Sequence, residues 1–430
     1  MIGGSQAQDV IGTSSGGVAG VSSYLEAAIR GCLLIYVAVL PFKALLVVER
    51  NGFLVLLTLL ALWCLINGRL FYRHTPFAVP LAVYVGWIGI TIPFAIFPDY
   101  SLKEFGKLLQ QVTIFYAVAY FLFHPPFRTT LYALLGCLLA IVSINGLRQF
   151  DLDHPQAVVS FLSSEVWLTT FLVMMIPLAA ATAFVAEPLW LRATAFGTLG
   201  IAGICLVSTQ SRAGLLSFIV EFCATTWLIR KRAALVLSGI VSAGLIVGFL
   251  LTLALRDGGA VESGGTSAIR VPFQTTSHSI IHRFDIWSFS LREAQKHWLV
   301  GIGYGKDNFL KVYGDERETV PEGHAAVKKS GTHNILLYHA LHVGVPGLLF
   351  FCWLYGSMLG KTLHESRRAS DWREKAVLYG MAGTLVGLAV RLQFDQMFVG
   401  SLAIVFWVLL ALTVMHYPSL SRCADLGRKA

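Results

Sequence analysis

The sequence predicts an all-α, polytopic membrane protein with about twelve transmembrane helices and one large outer loop that contains short helices. Three observations predict it. Of 430 residues, 56% are hydrophobic and only 13% charged, against roughly a quarter charged in a soluble chain. Mean hydropathy is +0.67. Apolar runs of about 20 residues, long enough to cross a bilayer, recur along the chain. A backbone in lipid must satisfy its polar groups internally, so such runs are helices. This composition excludes a water-soluble enzyme, a secreted disulfide scaffold and a disordered tail binder.

The elements follow in order. Residues 1–25 are expected to be a flexible cytoplasmic tail, Gly- and Ser-rich with one acidic residue in its first stretch, Asp9. Residues 26–255 carry nine apolar runs: 26–48, 52–67, 76–97, 107–123, 129–147, 165–185, 193–208, 213–229 and 234–255. The second is short for a full span, and Pro41 and Pro177 lie inside runs, where proline kinks a helix. Residues 256–333 form the one sizeable loop. Its first part, Gly258 to Thr276, is rich in small polar residues. From Ile280 to Trp298 apolar residues recur every three to four positions, the pattern of an amphipathic helix resting on the bundle or in the membrane interface. Residues 334–416 hold runs 334–360, 375–392 and 397–416, and 417–430 form a second cytoplasmic tail.

Orientation follows from the cations. Sixteen Lys and Arg residues lie on the tails and even-numbered connections, but only seven on the short odd-numbered ones: Lys43, Arg50, Lys103, Lys107, Arg148, Arg212 and Arg391. The positive-inside rule puts both termini in the cytoplasm and the large loop outside. The same rule accounts for the net charge of +9, and no basic soluble domain offers itself to nucleic acid. The seven cysteines show no CxxC spacing and are expected to be small core residues.

Several outer residues suit chemistry. Arg212, in Ser211-Arg212-Ala213-Gly214, stands where span eight begins, so free N–H groups and the helix dipole add to its charge. That combination suits a lipid-linked phosphate. Arg148 ends span five and Arg391 ends span eleven; each placement also fits a cation snorkelling to headgroups. Arg283, in His282-Arg283-Phe284-Asp285, offers a planar fork for phosphate or a local partner for Asp285. His333 precedes a helix at the outer surface, where helix dipoles favour a neutral ring able to accept a proton. It equally suits a cap.

Metal-binding patterns are poor. His278 and His282 have i, i+4 spacing but no evident third ligand. Asp151-Leu152-Asp153 with His154 is a short DxD of a kind that recurs by chance. His333, His339 and His342 do not converge at about 100° per residue. Gly301-Ile302-Gly303-Tyr304-Gly305 lacks the strand and spacing of a nucleotide loop and reads as a tight turn.

Taken together these residues resemble a known family. His333-Asn334, nine residues, then Gly344-Val345-Pro346-Gly347 is similar to the HNx9GxxG signature of the O-antigen ligase and polymerase superfamily. Ser211-Arg212-Ala213-Gly214, Arg283…Trp287 and Leu299 to Phe309 resemble its other motifs, in family order. The resemblance implies a GT-C-like glycosyltransferase of the bacterial inner membrane with a periplasmic active site. It implies transfer of glycan from undecaprenyl diphosphate to a hydroxyl acceptor, with inversion and without metal, nucleotide or other cofactor. For a ligase the acceptor partner is the lipid A-core oligosaccharide; for a polymerase it is another lipid-linked repeat, and related enzymes glycosylate protein. One long loop with one His-bearing helix favours the ligase. The resemblance makes His333 the base and Arg212 and Arg283, with Arg148 and Arg391, the diphosphate ligands. The alternative from another class is a lipid-glycan flippase or transporter. It would show paired sequence halves and midplane charges, and no half-to-half repeat is found.

Overall fold

The computed structural model describes residues 12–151, 156–230, parts of 232–247, 272–314, 327–396 except 330, and 399–419, with side chains of 12–19 and 272–280 left aside. Every regular element among the described residues is helical. The helices are α1 Gly12–Val39, α2 Leu46–Asn67, α3 Ala78–Thr91, α4 Pro98–Phe121, α5 Pro125–Arg148, α6 Glu165–Val185, α7 Leu189–Ser208, α8 Arg212–Ile229, α9 Pro272–Lys296, α10 Asn308–Tyr313, α11 Ile335–His342, α12 Gly344–Ser366, α13 Trp372–Arg391 and α14 Gly400–Met415. Further helical residues lie within 232–247. Among the described residues, six segments are long and apolar enough to cross a membrane by length and composition: Gly20–Val39, Lys43–Asn67, Pro125–Arg148, Glu165–Val185, Leu189–Ser208 and Arg212–Ile229. The chain is a multi-pass membrane protein.

Several expectations change. The Gly- and Ser-rich N-terminal segment is helical from Gly12, because residues added to a formed helix avoid the cost of nucleation. Pro41 ends α1 instead of kinking a longer span: the chain turns there, and α2 starts at Leu46. This makes the short second run a full 22-residue helix. The amphipathic helix of the large loop starts at Pro272, inside the stretch expected to be irregular, because proline suits a first helical turn. Of the six cysteines among the described residues, only Cys205 is buried; Cys137, Cys223 and Cys352 are exposed on helix faces, where lipid is as apolar as a core.

The centre of the bundle is α6, buried along nearly its whole length, with α13 and α8 against it. Glycines allow the close approach. On α13, Gly380 meets Leu178 of α6, Gly383 meets Pro177 and Thr225, and Gly387 meets the Glu221 side chain of α8. α6 continues through Pro177. The α8–α13 seam therefore runs antiparallel, and it brings the first residue of α8 and the last of α13 to the same end.

Span ten is not one helix. It divides at Val343 and Gly344 into the eight-residue α11 and the 23-residue α12. Gly344 has φ +75° and lies against the Trp298 and Leu299 carbonyls, a conformation that favours glycine.

On a background lacking the exposed native cysteines, a cysteine at Ser288 or Arg292 of α9 should react with an impermeant outer label. One at Arg232 or Arg367 should not. Labelling of the latter pair from outside, measured by mass shift on intact cells, would reverse the expected orientation.

Candidate functional site

The HNx9GxxG residues build the site. His333 has φ +44°, a left-handed backbone in which His, Asn and Asp are the enriched non-glycine residues. Asn334 then caps α11, its Oδ1 accepting from the Leu336 and Leu337 amides at 2.9 and 3.1 Å. The nine intervening residues are α11 and Val343. Gly344 makes the turn, and Gly347 lies close to Val343 and Trp87.

The Gly301–Gly305 segment clamps this unit. Gly301, Gly303 and Gly305 have φ of +74°, +121° and +128°. The amides of Ile302 and Gly303 donate to the Leu341 and His342 carbonyls at 2.9 and 3.0 Å, capping the end of α11. The Ile96 amide donates to the Ile302 carbonyl at 3.1 Å, and Asn308 Nδ2 donates to Ser101 Oγ at 3.1 Å. The glycines therefore fasten α11 to the α3–α4 turn. A Cβ at Gly303 would stand 2.7 Å from Ala95 Cβ and Ser101 Oγ.

The other side of His333 is the segment after α13. The Ile335 amide donates to the Leu392 carbonyl at 2.9 Å, Asn334 Nδ2 donates to Gln393 Oε1 at 3.2 Å, and the Thr332 hydroxyl donates to Gln396 Oε1. These contacts set Asp395 beside His333. Its Oδ1 lies 4.0 Å from His333 Nδ1, and its Oδ2 lies 3.8 Å from Arg391 Nη2. Arg391 is only 3% exposed, and its Nε is buried with no hydrogen-bond partner among the described residues. Arg283 of α9 lies over the Phe394 ring, 5.5 Å from its centroid. Burial pushes the Arg283 guanidinium down from its usual value and Asp395 opposes the shift. Arginine stays charged under such shifts.

The structure thus gathers His333, Arg391 and Arg283 around Asp395. It does not bring Arg212 or Arg148 into contact with them. Arg212 is the first residue of α8, exposed, behind the Ser211 cap, whose Oγ accepts from the Gly214 amide at 3.1 Å. Arg148 is the last residue of α5 and exposed. His339 and His342 are core residues. Each Nδ1 donates to a carbonyl four residues back, at 2.8 and 2.9 Å, and the Tyr84 hydroxyl lies 2.8 Å from His339 Nε2. The carbonyl can only accept, so Nδ1 carries the proton and Tyr84 donates to Nε2. Asp153, His154 and the His278 side chain lie outside the described residues, and no group of three metal-ligating residues occurs among those described.

Asp395 was not singled out in the sequence. Its signal was an acid at i, i+4 from Arg391, just beyond a span. For the transferase that the resemblance implies, Asp395→Asn should lower kcat by about 10–100-fold, the scale on which losing a residue that orients a reactive group costs activity, with both substrate KM values near wild type. Because this also strands Arg391, melting temperature is read alongside. Unchanged kcat would leave Asp395 a structural partner of Arg391.

A family model described as O-antigen ligase matches residues 197–352. No curated protein matches the chain. The matched stretch takes in Arg212, Arg283, His333, Asn334, Gly344 and Gly347 and stops short of Arg391 and Asp395. Its family implies a glycosyltransferase-like enzyme of the ligase and polymerase superfamily. Across residues 197–352, the stretch that holds its four motifs, the chain is similar to the O-antigen ligase family.

Proposed function

We propose that the chain joins O-antigen polysaccharide, carried on undecaprenyl diphosphate, to the lipid A-core oligosaccharide. On this reading it crosses the inner membrane about twelve times, with both termini cytoplasmic and the active site periplasmic. The observation that carries the reading is the convergence of His333 and Arg283, both inside the matched family domain, on the one carboxylate of Asp395.

His333 is the base. With Nδ1 turned to Asp395, Nε2 is left to take the acceptor proton, a base held by an orienting carboxylate. The acceptor oxygen forms a bond to the anomeric carbon as the bond to the diphosphate oxygen breaks, which inverts that carbon. The proton passes to His333 and the electron pair leaves with undecaprenyl diphosphate. Arg212 and Arg283 neutralise the departing charge, the role a metal fills in other transferases. Arg148 extends that positive rim. Arg391 contributes positive charge from behind Asp395. The diphosphate ester is already activated, so no nucleotide is required.

The test incubates purified protein with lipid-linked glycan and lipid A-core, without added metal or nucleotide. Joined product supports the ligase. Product only with a second lipid-linked repeat would make the chain a polymerase, and no product with either, despite a folded protein, would remove the reading.

A further inference from the structure

Six of the seven cations on the short odd-numbered connections lie away from the cluster, and three of the six, Lys43, Arg50 and Lys107, line one cavity. It measures about 440 Å³ and is bounded by the α1–α2 turn, α4, the start of α6 and the start of α14. Lys43, Arg50 and Lys107 line it, above an apolar floor that includes Phe171 and Val405. One acid shares this cavity: Glu49, which accepts from Ser401 Oγ at 2.7 Å; Glu104 pairs with Lys107 at 2.5 Å. Lys43 and Arg50 form no ion pair among the described residues. Between them runs Leu45–Val48, four consecutive apolar residues that are 36–64% exposed. A cationic rim over an apolar wall suits an anionic amphiphile at headgroup depth.

This cavity continues toward the cluster. Lys107, Gln111, Trp167 and Gly400 also line a second cavity of about 270 Å³, whose far wall is Leu392 and Gln396. Gln396 holds Thr332, the neighbour of His333. None of Arg148, Arg212, Arg283 and Arg391 lines either cavity. Two lipid substrates must reach one base, and the proposed donor arginines and these cavities occupy separate surfaces.

We propose that the Lys43–Arg50–Lys107 cavity is the acceptor site, seating the phosphorylated head of an outer-leaflet glycolipid. This rests on the transferase reading above. Lys43 and Arg50 hold the head phosphate, the acyl chains lie along Leu45–Val48, and the sugars pass over Trp167 and Gln111 to His333. Aromatic and amide side chains suit that passage, offering apolar faces and fixed hydrogen-bond partners to a glycan.

The test uses the full chain in vesicles and the double variant Lys43→Gln/Arg50→Gln, which alters exposed side chains only. Against bisphosphorylated lipid A-core the variant should raise the acceptor KM about tenfold, a loss on the scale of charge-assisted contacts discounted for exposure. The kcat and donor KM should hold, and enzymatically dephosphorylated acceptor should be used equally by wild type and variant. A raised donor KM, an equal loss with both acceptors, or no change would each overturn the assignment. A second arm needs no activity: native mass spectrometry should show bisphosphorylated lipid A retained by the wild type and lost from the variant. Displacement of that lipid by equimolar inorganic phosphate would make the cavity a free-phosphate site and overturn the lipid assignment. Retention without joined product in the wild type would sink the transferase reading and leave the lipid site standing.

Discussion

Replacing His333 with alanine lowers turnover by about 10²–10⁴-fold, the usual worth of general-base help, while donor binding stays close to wild type. Alanine also sits poorly at φ +44°, so the informative companion is His333→Asn. Asparagine tolerates the left-handed backbone but supplies no base. Both variants should accumulate normally, and His333→Asn should melt at the wild-type temperature. The wild-type rate should fall on acidification as the imidazole takes a proton before the acceptor can deliver one. That acid limb should be missing from any residual activity of His333→Gln. An acid limb that persists there, or a loss expressed mainly in donor KM, would reduce His333 to an orienting residue. His339→Ala should act on stability instead, because it leaves the buried Tyr84 hydroxyl without its partner, a cost of about 1–3 kcal/mol.

Arg212→Ala and Arg283→Ala should each abolish measurable transfer while the protein still inserts and accumulates. Loss of a donor that stabilises developing charge costs about 10²–10³-fold in general. Lysine should restore little at either position, since it keeps the charge and loses the fork. The two arginines differ in what else they do. Arg212 is exposed at a helix start, so its alanine variant should melt as the wild type does. Arg283 lies over Phe394 beside Asp395, and its removal should also loosen the 392–396 segment, measurable as faster amide exchange there. Near-normal transfer in both alanine variants would take the clamp out of the mechanism.

Much of this was legible in the sequence because it is local. Apolar runs predict helices wherever their length spans lipid. Ser211 before Arg212 and Asn334 after His333 are cap residues, so both candidate side chains stand at helix starts for reasons contained within four residues. The HNx9GxxG spacing is likewise local: a helix of eight residues, one more, and a glycine whose positive φ turns the chain. The break between α11 and α12 was missed because the apolar pattern runs straight through it. The Leu299 carbonyl that crowds Gly344 comes from a different part of the chain.

By itself the sequence determined the membrane class, most of the helices though not all of their ends, and the residue types able to hold a phosphate and take a proton. The tertiary structure alone decided which of them meet. Asp395 reaches His333 only because the 392–396 segment is fastened to 332–335 across about sixty residues of chain. Lys43, Arg50 and Lys107 share a cavity only because the α1–α2 turn packs beside α4 and α14. Helix formation depends on neighbours three and four residues away. The partner of a side chain at a helix end depends instead on close packing between distant helices, which no periodicity in the chain records.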